Sequence, residues 1–186
     1  MSRVYKALNR QIFSLENFSL VPIRETDRYD IMRWRNEQIY HLRQNKPITK
    51  QDQDYYFNTV IDNLFEQDQP QQILFSYLQD DTCVGYGGLV HINWNDRNAE
   101  LSFIMDTQLE RNDFDFHWSN FLYLIEKVGF KELGLHKLYT YAFDVRPKLY
   151  AILQTNYFIK EAELREHCIV NNQFRSVIIH SKWNHS

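Results

Sequence analysis

The chain has 186 residues, 44% of them hydrophobic and 24% charged, with a net charge of −3; this fits one globular domain with ample material for a core. The mild acidity removes the electrostatic case for nucleic acid or an anionic membrane as partner. Two cysteines, Cys83 and Cys168, stand at no metal-ligand spacing, and the seven histidines include no His-x-x-x-His pair, so no metal site is expected and a reduced cytoplasmic setting fits. The first residues, MSRVYKALNRQIF, contain no long apolar core, so no signal peptide is expected, and no apolar run approaches the roughly 18 residues of a membrane span.

In chain order, residues 1–17 read as an N-terminal extension, helical over Val4 to Phe13, ahead of a single domain over 18–186. Phe18 to Pro22 alternates apolar and polar positions and reads as an edge strand that tolerates proline. Thr26 or Asp27 is placed to cap a helix carrying Ile31, Trp34 and Arg35, and Glu37 to Leu42 reads as a second short helix. After Pro47, Thr49 and Asp52 have capping-box spacing, and Tyr56, Val60, Ile61, Leu64 and Phe65 form a core-facing stripe. Gln71 to Gln79 is a strand, closed by a turn at Asp80-Asp81-Thr82.

The central feature is the hairpin from Cys83 to Met105, with strands Cys83–Asn93 and Ala99–Met105 around the turn Asn95-Asp96-Arg97-Asn98. Gly85, Gly87 and Gly88 in its first strand mark a bulge or a close approach of backbone. The polar stretch DTQLERNDFDF then leads into a helix over His117 to Lys131 with Gly134 near its end. Lys137 to Phe143 is a strand, Pro147 opens a helix running to Thr155, and Phe158–Cys168 with Phe174–Lys182 make a last hairpin across Asn171-Asn172. The order β-αα-βββ-α-β-α-ββ describes an α/β (α+β) domain: a mixed, mostly antiparallel sheet of about seven strands flanked by helices.

That order, with LVPIRETDRYDIMRWRNEQ near the start and AELSFIMD, FKELGLHKLYTYAFDVRP and LQTNYFIKEAELRE later, resembles the GNAT superfamily of acyl-CoA-dependent N-acetyltransferases. Trp34-Arg35-Asn36 matches the triplet that ends the first helix in the branch containing ribosomal-protein and nucleotide-sugar acetyltransferases. The resemblance runs from Phe18 to Lys182. It implies acetyl-CoA as co-substrate, with its pantetheine arm between the fourth and fifth strands of the fold on the backbone of Phe103, Ile104 and Met105. It also implies a diphosphate on amides near His117, Trp118 and Ser119, the anion site of a helix N-terminus, with Arg111 as the nearest cation. The chain departs from the pattern in the phosphate loop. No glycine lies between Gly88 and Gly129, and Asp113 and Asp115 fall in the loop, where they would repel a diphosphate. Arg146 stands for an asparagine among the cofactor-binding positions, Leu153 for a frequent tyrosine, and Tyr157 for the glycine before Phe158.

Acyl transfer to an amine needs a base, because only the neutral amine attacks a thioester. Glu100, at the start of the fourth strand of the family fold, and His91, on the facing strand, are the candidates. Tyr150 lies about one helical turn before the position of a thiolate-protonating tyrosine, and packing is its expected role. Arg33, Trp34, Arg35 and Asn36, with Trp94, are the candidate acceptor-binding residues, in a polar cluster that also holds His41 and Arg43; guanidinium groups there suit a diphosphate or another acidic group. Two functions follow. One is an acetyl-CoA-dependent N-acetyltransferase acting on the primary amine of a small molecule, such as an amino-sugar nucleotide. The other is a binding or assembly module of the same fold that has lost efficient CoA binding. A homodimer is compatible with an exposed edge strand at Phe174 to Lys182.

Overall fold

A computed structural model describes residues 3–184. Eight strands form one sheet in the order β1-β2-β3-β4-β5-β6-β8-β7. They are β1 (Phe13–Leu15), β2 (Phe18–Pro22), β3 (Ile73–Gln79), β4 (Thr82–Asn93), β5 (Asn98–Met105), β6 (Lys137–Phe143), β7 (Ile159–Val170) and β8 (Gln173–Trp183). Every neighbouring pair is antiparallel except β5 and β6, which run parallel. The helices are α1 (Arg28–Glu37), α2 (Lys50–Tyr56), α3 (Asp62–Phe65), α4 (Thr107–Asn112), α5 (Phe114–Glu126) and α6 (Pro147–Thr155). A π-helical stretch, Phe57–Ile61, joins α2 to α3, and another, Lys127–Glu132, continues α5. Among the described residues no helix is long and apolar enough to cross a membrane.

The eighth strand comes from the segment read as helical extension. Val4 to Phe13 is not helical, because its backbone finds partners far away in sequence. The Tyr5 hydroxyl donates to the Leu74 carbonyl (2.8 Å) and accepts from the Leu74 amide (3.0 Å), and Glu132 accepts from the amides of Asn9 and Arg10. Tyr5, Leu8 and Phe13 belong to the main core. β1 pairs Phe18 to Leu20, so β2 is not the edge it was read to be, and Pro22 lies just past the reach of β1. At the other side β7, not the strand over Phe174 to Lys182, is the outer edge.

The turn chemistry reads directly. Asp80 and Asp81, and Asn171 and Asn172, all have positive φ, the geometry of two-residue hairpin turns whose twist matches the strands. The Thr49–Asp52 capping box is formed, and Pro147 opens α6. Glu37 to Leu42 is reduced to a 3₁₀ turn over Ile39–His41. Asp27 does not cap α1 with its side chain. It is buried instead, accepting from Arg24 and from the Ser76 hydroxyl (2.6 Å), and so fastens the start of α1 to β3.

The glycines of β4 are positions of close approach. A Cβ on Gly87 would lie 2.2 Å from the Ser102 carbonyl oxygen, and one on Gly88 2.0 Å from that of Ile73. Side-chain bulk is excluded there, and β4 lies close between β3 and β5 while Phe103 stacks on Phe121 of α5 at 4.0 Å. β4 bulges against β3 at Val84, beside Gly85, where the register shifts between Tyr77 and Leu78, and again against β5, where it shifts between Val90 and Asn93 and His91 takes φ 49°.

Candidate active site

β5 and β6 pair only from Asn98 to Glu100 against Lys137 to Tyr139. Past that point β5 stays with β4 as far as Met105, and β6 stays with β8 as far as Phe143. The two parallel strands therefore diverge, and beyond Glu100 they no longer pair with each other. A cavity of about 450 Å³ lies in this wedge, lined by Leu101 to Ile104 of β5, Thr140 to Phe143 of β6 and, from the helices that follow them, Trp118 and Leu149.

Glu100 stands at the apex. Its carboxylate is 6% exposed, accepts from Arg43 and lies 2.8 Å from His91 Nδ1. The bulge explains the histidine: an extra residue in one strand re-aims the side chain beside it, and here it turns His91 onto Glu100 across the β4–β5 ladder. Arg43 comes from the loop after the 3₁₀ turn and lies over the ring of Tyr141, 4.7 Å from its centroid. Arg35 enters the same cavity from α1, held by the Tyr86 hydroxyl (2.7 Å) and Gln44.

A second cluster spans the open mouth of the wedge. Arg146, which follows β6, is 7% exposed and binds Glu110 of α4, the helix that follows β5, at 3.1 Å. Burial holds the Glu110 carboxyl above its ordinary range, with Arg146 and Lys148 acting in the opposite direction, and burial likewise lowers the Arg146 guanidinium. Arg146 Nη1 also donates to His41 Nδ1 (3.0 Å), and His41 Nε2 faces Gln38 Oε1 (3.4 Å). Burial first, and Arg146 second, push the His41 pKa down to about 3. His41 is thus neutral, accepting at Nδ1 and donating at Nε2. Gln38 in turn donates to the Met105 carbonyl (2.8 Å), completing a hydrogen-bonded chain from the start of α6 to the end of β5.

The expected phosphate loop over 113–118 is helix. Asp106 caps α4, Asp113 separates α4 from α5, and α5 begins at Phe114. The His117 amide therefore donates within the helix, to Asp113 (3.1 Å), and Trp118 and Ser119 lie in the interior of the same helix. The His117 ring is buried against the Tyr77 hydroxyl (3.2 Å), and the Ser119 hydroxyl accepts from Asn156, just after α6. Only Trp118 of the three faces the wedge. Asp113, Asp115 and Arg111 point to solvent.

The structure brings Glu100, His91, Phe103, Ile104, Trp118, Arg146 and Arg35 to one cavity. Met105 is buried beyond it. The other acceptor candidates lie elsewhere. Trp34 is core, its Nε1 donating to the capping carboxylate of Asp106 (3.0 Å). Asn36 braces the 44–48 loop through Ile48 and Gln44. Arg33 pairs with Asp30 on the surface, and Trp94 donates to the Pro70 carbonyl. Tyr150 bonds Asp144 (3.0 Å) and stacks on His180, consistent with packing. Arg43, His41, Gln38 and Glu110 complete the site; their only sequence signal was that the first two belong to the polar cluster after the Trp-Arg-Asn triplet. Among the described residues no group of three or more His, Cys, Asp or Glu is placed to hold a metal ion.

The sequence profile described as "Acetyltransferase (GNAT) domain" matches residues 20–181. No curated protein sequence matches the chain. Among solved structures, spermidine N-acetyltransferase from Vibrio cholerae in complex with CoA and spermine superposes with a TM-score of 0.80 at 17% identity, over 91% of this chain and 97% of that one. A dodecameric structure of spermidine N-acetyltransferase from the same organism, in an intermediate state, gives 0.74 at 18% identity, over 91% and 95%. At such identities the likeness is one of fold.

Proposed function

Because the chain belongs to the acetyltransferase (GNAT) domain family, we propose that it transfers acetyl from acetyl-CoA to the primary amine of a small molecule that also carries an anionic group. The observation that carries this reading is the divergence of β5 from β6 beyond Glu100, which opens a cavity with Glu100, the one buried strand carboxylate among the described residues, at its apex. The wedge fits an extended amide-bearing arm, since Leu101 to Ile104, on the stretch of β5 that no longer pairs with β6, line it. The diphosphate end fits less simply, because residues 113–118 present a helix and not a glycine cradle.

Acetyl-CoA supplies the activated acyl carbon. Glu100, with His91 against it, takes the proton that the ammonium must lose; the amine nitrogen then bonds to the carbonyl carbon and the carbon–sulfur bond breaks. The second nitrogen proton passes to the departing sulfur, so the products are the amide, the CoA thiol and the one proton held by Glu100.

The acceptor's charge follows from the lining. Arg35, Arg43 and Arg146 line the cavity, against the single lining carboxylate of Glu100. A polycation such as a polyamine would meet like charge, whereas a phosphate or carboxylate on the acceptor would be attracted. The same anion would draw Arg43, which is 46% exposed, away from Glu100 and leave the base free for the ammonium. Thiol release from acetyl-CoA, measured with anionic, neutral and polycationic primary amines, tests the reading: turnover is expected with the anionic group, and preference for a polyamine would refute the assigned acceptor. The second reading, a binding or assembly module, is favoured by the helix in place of the glycine loop; calorimetric titration with CoA separates the two.

A further inference from the structure

The mouth of the wedge contains an anion site already filled by the protein. Arg146 and Trp118 are both buried and line the cavity, and Arg146 Nε and Trp118 Nε1 have no hydrogen-bond partner. Buried donors left without acceptors cost stability, so two of them on residues that line one cavity point to an acceptor that arrives from outside. The carboxylate that pairs with the Arg146 guanidinium, through Nη2, is that of Glu110. It is 4% exposed and held by Arg146 and by Lys148, whose Nζ lies 3.5 Å from Oε1 and donates to the Glu110 carbonyl at 2.8 Å. Arg146 also lies over the rings of Phe114 and Trp118, which fix the plane of its guanidinium.

The topology gives this pair its place. Glu110 lies on the helix after β5 and Arg146 on the turn after β6, so their ion pair bridges the two ends of the V that the strands open. We propose that Glu110 is an internal stand-in for a ligand oxyanion and acts as a latch: on entry of CoA its diphosphate displaces the carboxylate, engages Arg146 and Trp118 Nε1, and holds the wedge open. This rests on the acetyl-CoA reading above and assigns to the side chains of Trp118 on α5 and Arg146 on the turn before α6 the anion binding that residues 113–118 do not offer as a loop. The exchange is feasible because burial disfavours the charged form of both partners. A diphosphate brings more charge and more acceptor atoms than one carboxylate.

The experiment is calorimetric titration of the full chain with CoA and, separately, with pantetheine, which lacks the diphosphate. Glu110→Gln keeps the shape and removes the competing charge; it is expected to tighten CoA by roughly tenfold and leave pantetheine unchanged. Arg146→Gln is expected to weaken CoA by at least about tenfold, again with pantetheine unchanged. It is the independent test should Glu110→Gln fail to fold. Equal CoA affinity in wild type and Glu110→Gln, or an equal gain for pantetheine, would overturn the latch while leaving acetyl transfer standing. CoA binding by none of the proteins would overturn both.

Discussion

Replacing Glu100 by Gln tests the base and separates chemistry from architecture by magnitude. The substitution keeps size and hydrogen-bonding reach at the apex of the wedge but removes the proton acceptor. Loss of a general base slows turnover by ~10²–10⁴-fold, or about 3–5 kcal/mol of activation free energy. The structural cost is smaller. The two partners of the carboxylate, Arg43 and His91, are 46% and 62% exposed, so both rehydrate once the charge is gone, at a cost on the order of 1 kcal/mol or less. Initial rates of thiol release should therefore fall by at least a hundredfold, while the melting temperature moves by only a few degrees and the KM for acetyl-CoA holds. Arg43→Gln is the companion: it leaves the base in place and should raise the KM for an anionic amine more than it lowers kcat. A Glu100→Gln enzyme with kcat within about threefold of wild type would refute the assignment, because no general base is worth so little.

His41 carries a pH prediction. Its folded pKa is about 3, below the unfolded value, so the unfolded chain binds the proton first and stability falls as pH drops below about 6.5. Between pH 6.5 and 5 this amounts to roughly 2 kcal/mol, read as the difference in denaturant midpoints between wild type and His41→Asn. Burial lowers His117 and His180 in the same direction, so the variant should keep part of the slope; an unchanged slope would show that His41 is not held neutral. Gly87→Ala, with its new Cβ 2.2 Å from the Ser102 carbonyl, must pry β4 from β5. It should destabilise by about 3 kcal/mol or more on chemical denaturation. Asp113→Asn with Asp115→Asn should change CoA affinity by less than about threefold in calorimetry, since both carboxylates face water and are screened.

Much of the architecture was legible because local signals and long-range pairing agree. The Asp80-Asp81 and Asn171-Asn172 turns, the Thr49 capping box and Pro147 each declare a backbone geometry, and each is found where the residues put it. The misreadings occur where a distant partner outbids a local preference. Val4 to Phe13 has helical spacing, yet Tyr5 is worth more bonded to Leu74 and packed on Phe65 than on a solvated helix. Asp27 has the position of a cap but accepts from Arg24 and Ser76. No local pattern encodes a strand residue 49 places away as its partner.

The site was legible to the extent that it is built on β4 and β5. Glu100 and His91 could be placed on facing strands from the sequence because they belong to one hairpin, and the bulge that joins them lies just beyond the glycines of β4. The mouth was not legible. The stretch 106–118 contains aspartates and asparagine but no glycine or proline, which reads as polar loop when helix is judged by apolar spacing alone. Asp106 as cap and Phe114 and Trp118 on one face make it helix once β5 and Arg146 supply a surface to cover. That change of state has a functional consequence. A glycine loop offers amides; here the Asp113 and His117 amides are bonded within helical turns, and of the side chains of these two helices Trp118 lines the wedge while Glu110 pairs with Arg146 at its mouth. Whatever anion this wedge admits must then be recognised by side chains, and the one buried guanidinium at its mouth, Arg146, is already paired with a carboxylate. Affinity for CoA in this chain is therefore a competition between the ligand and Glu110.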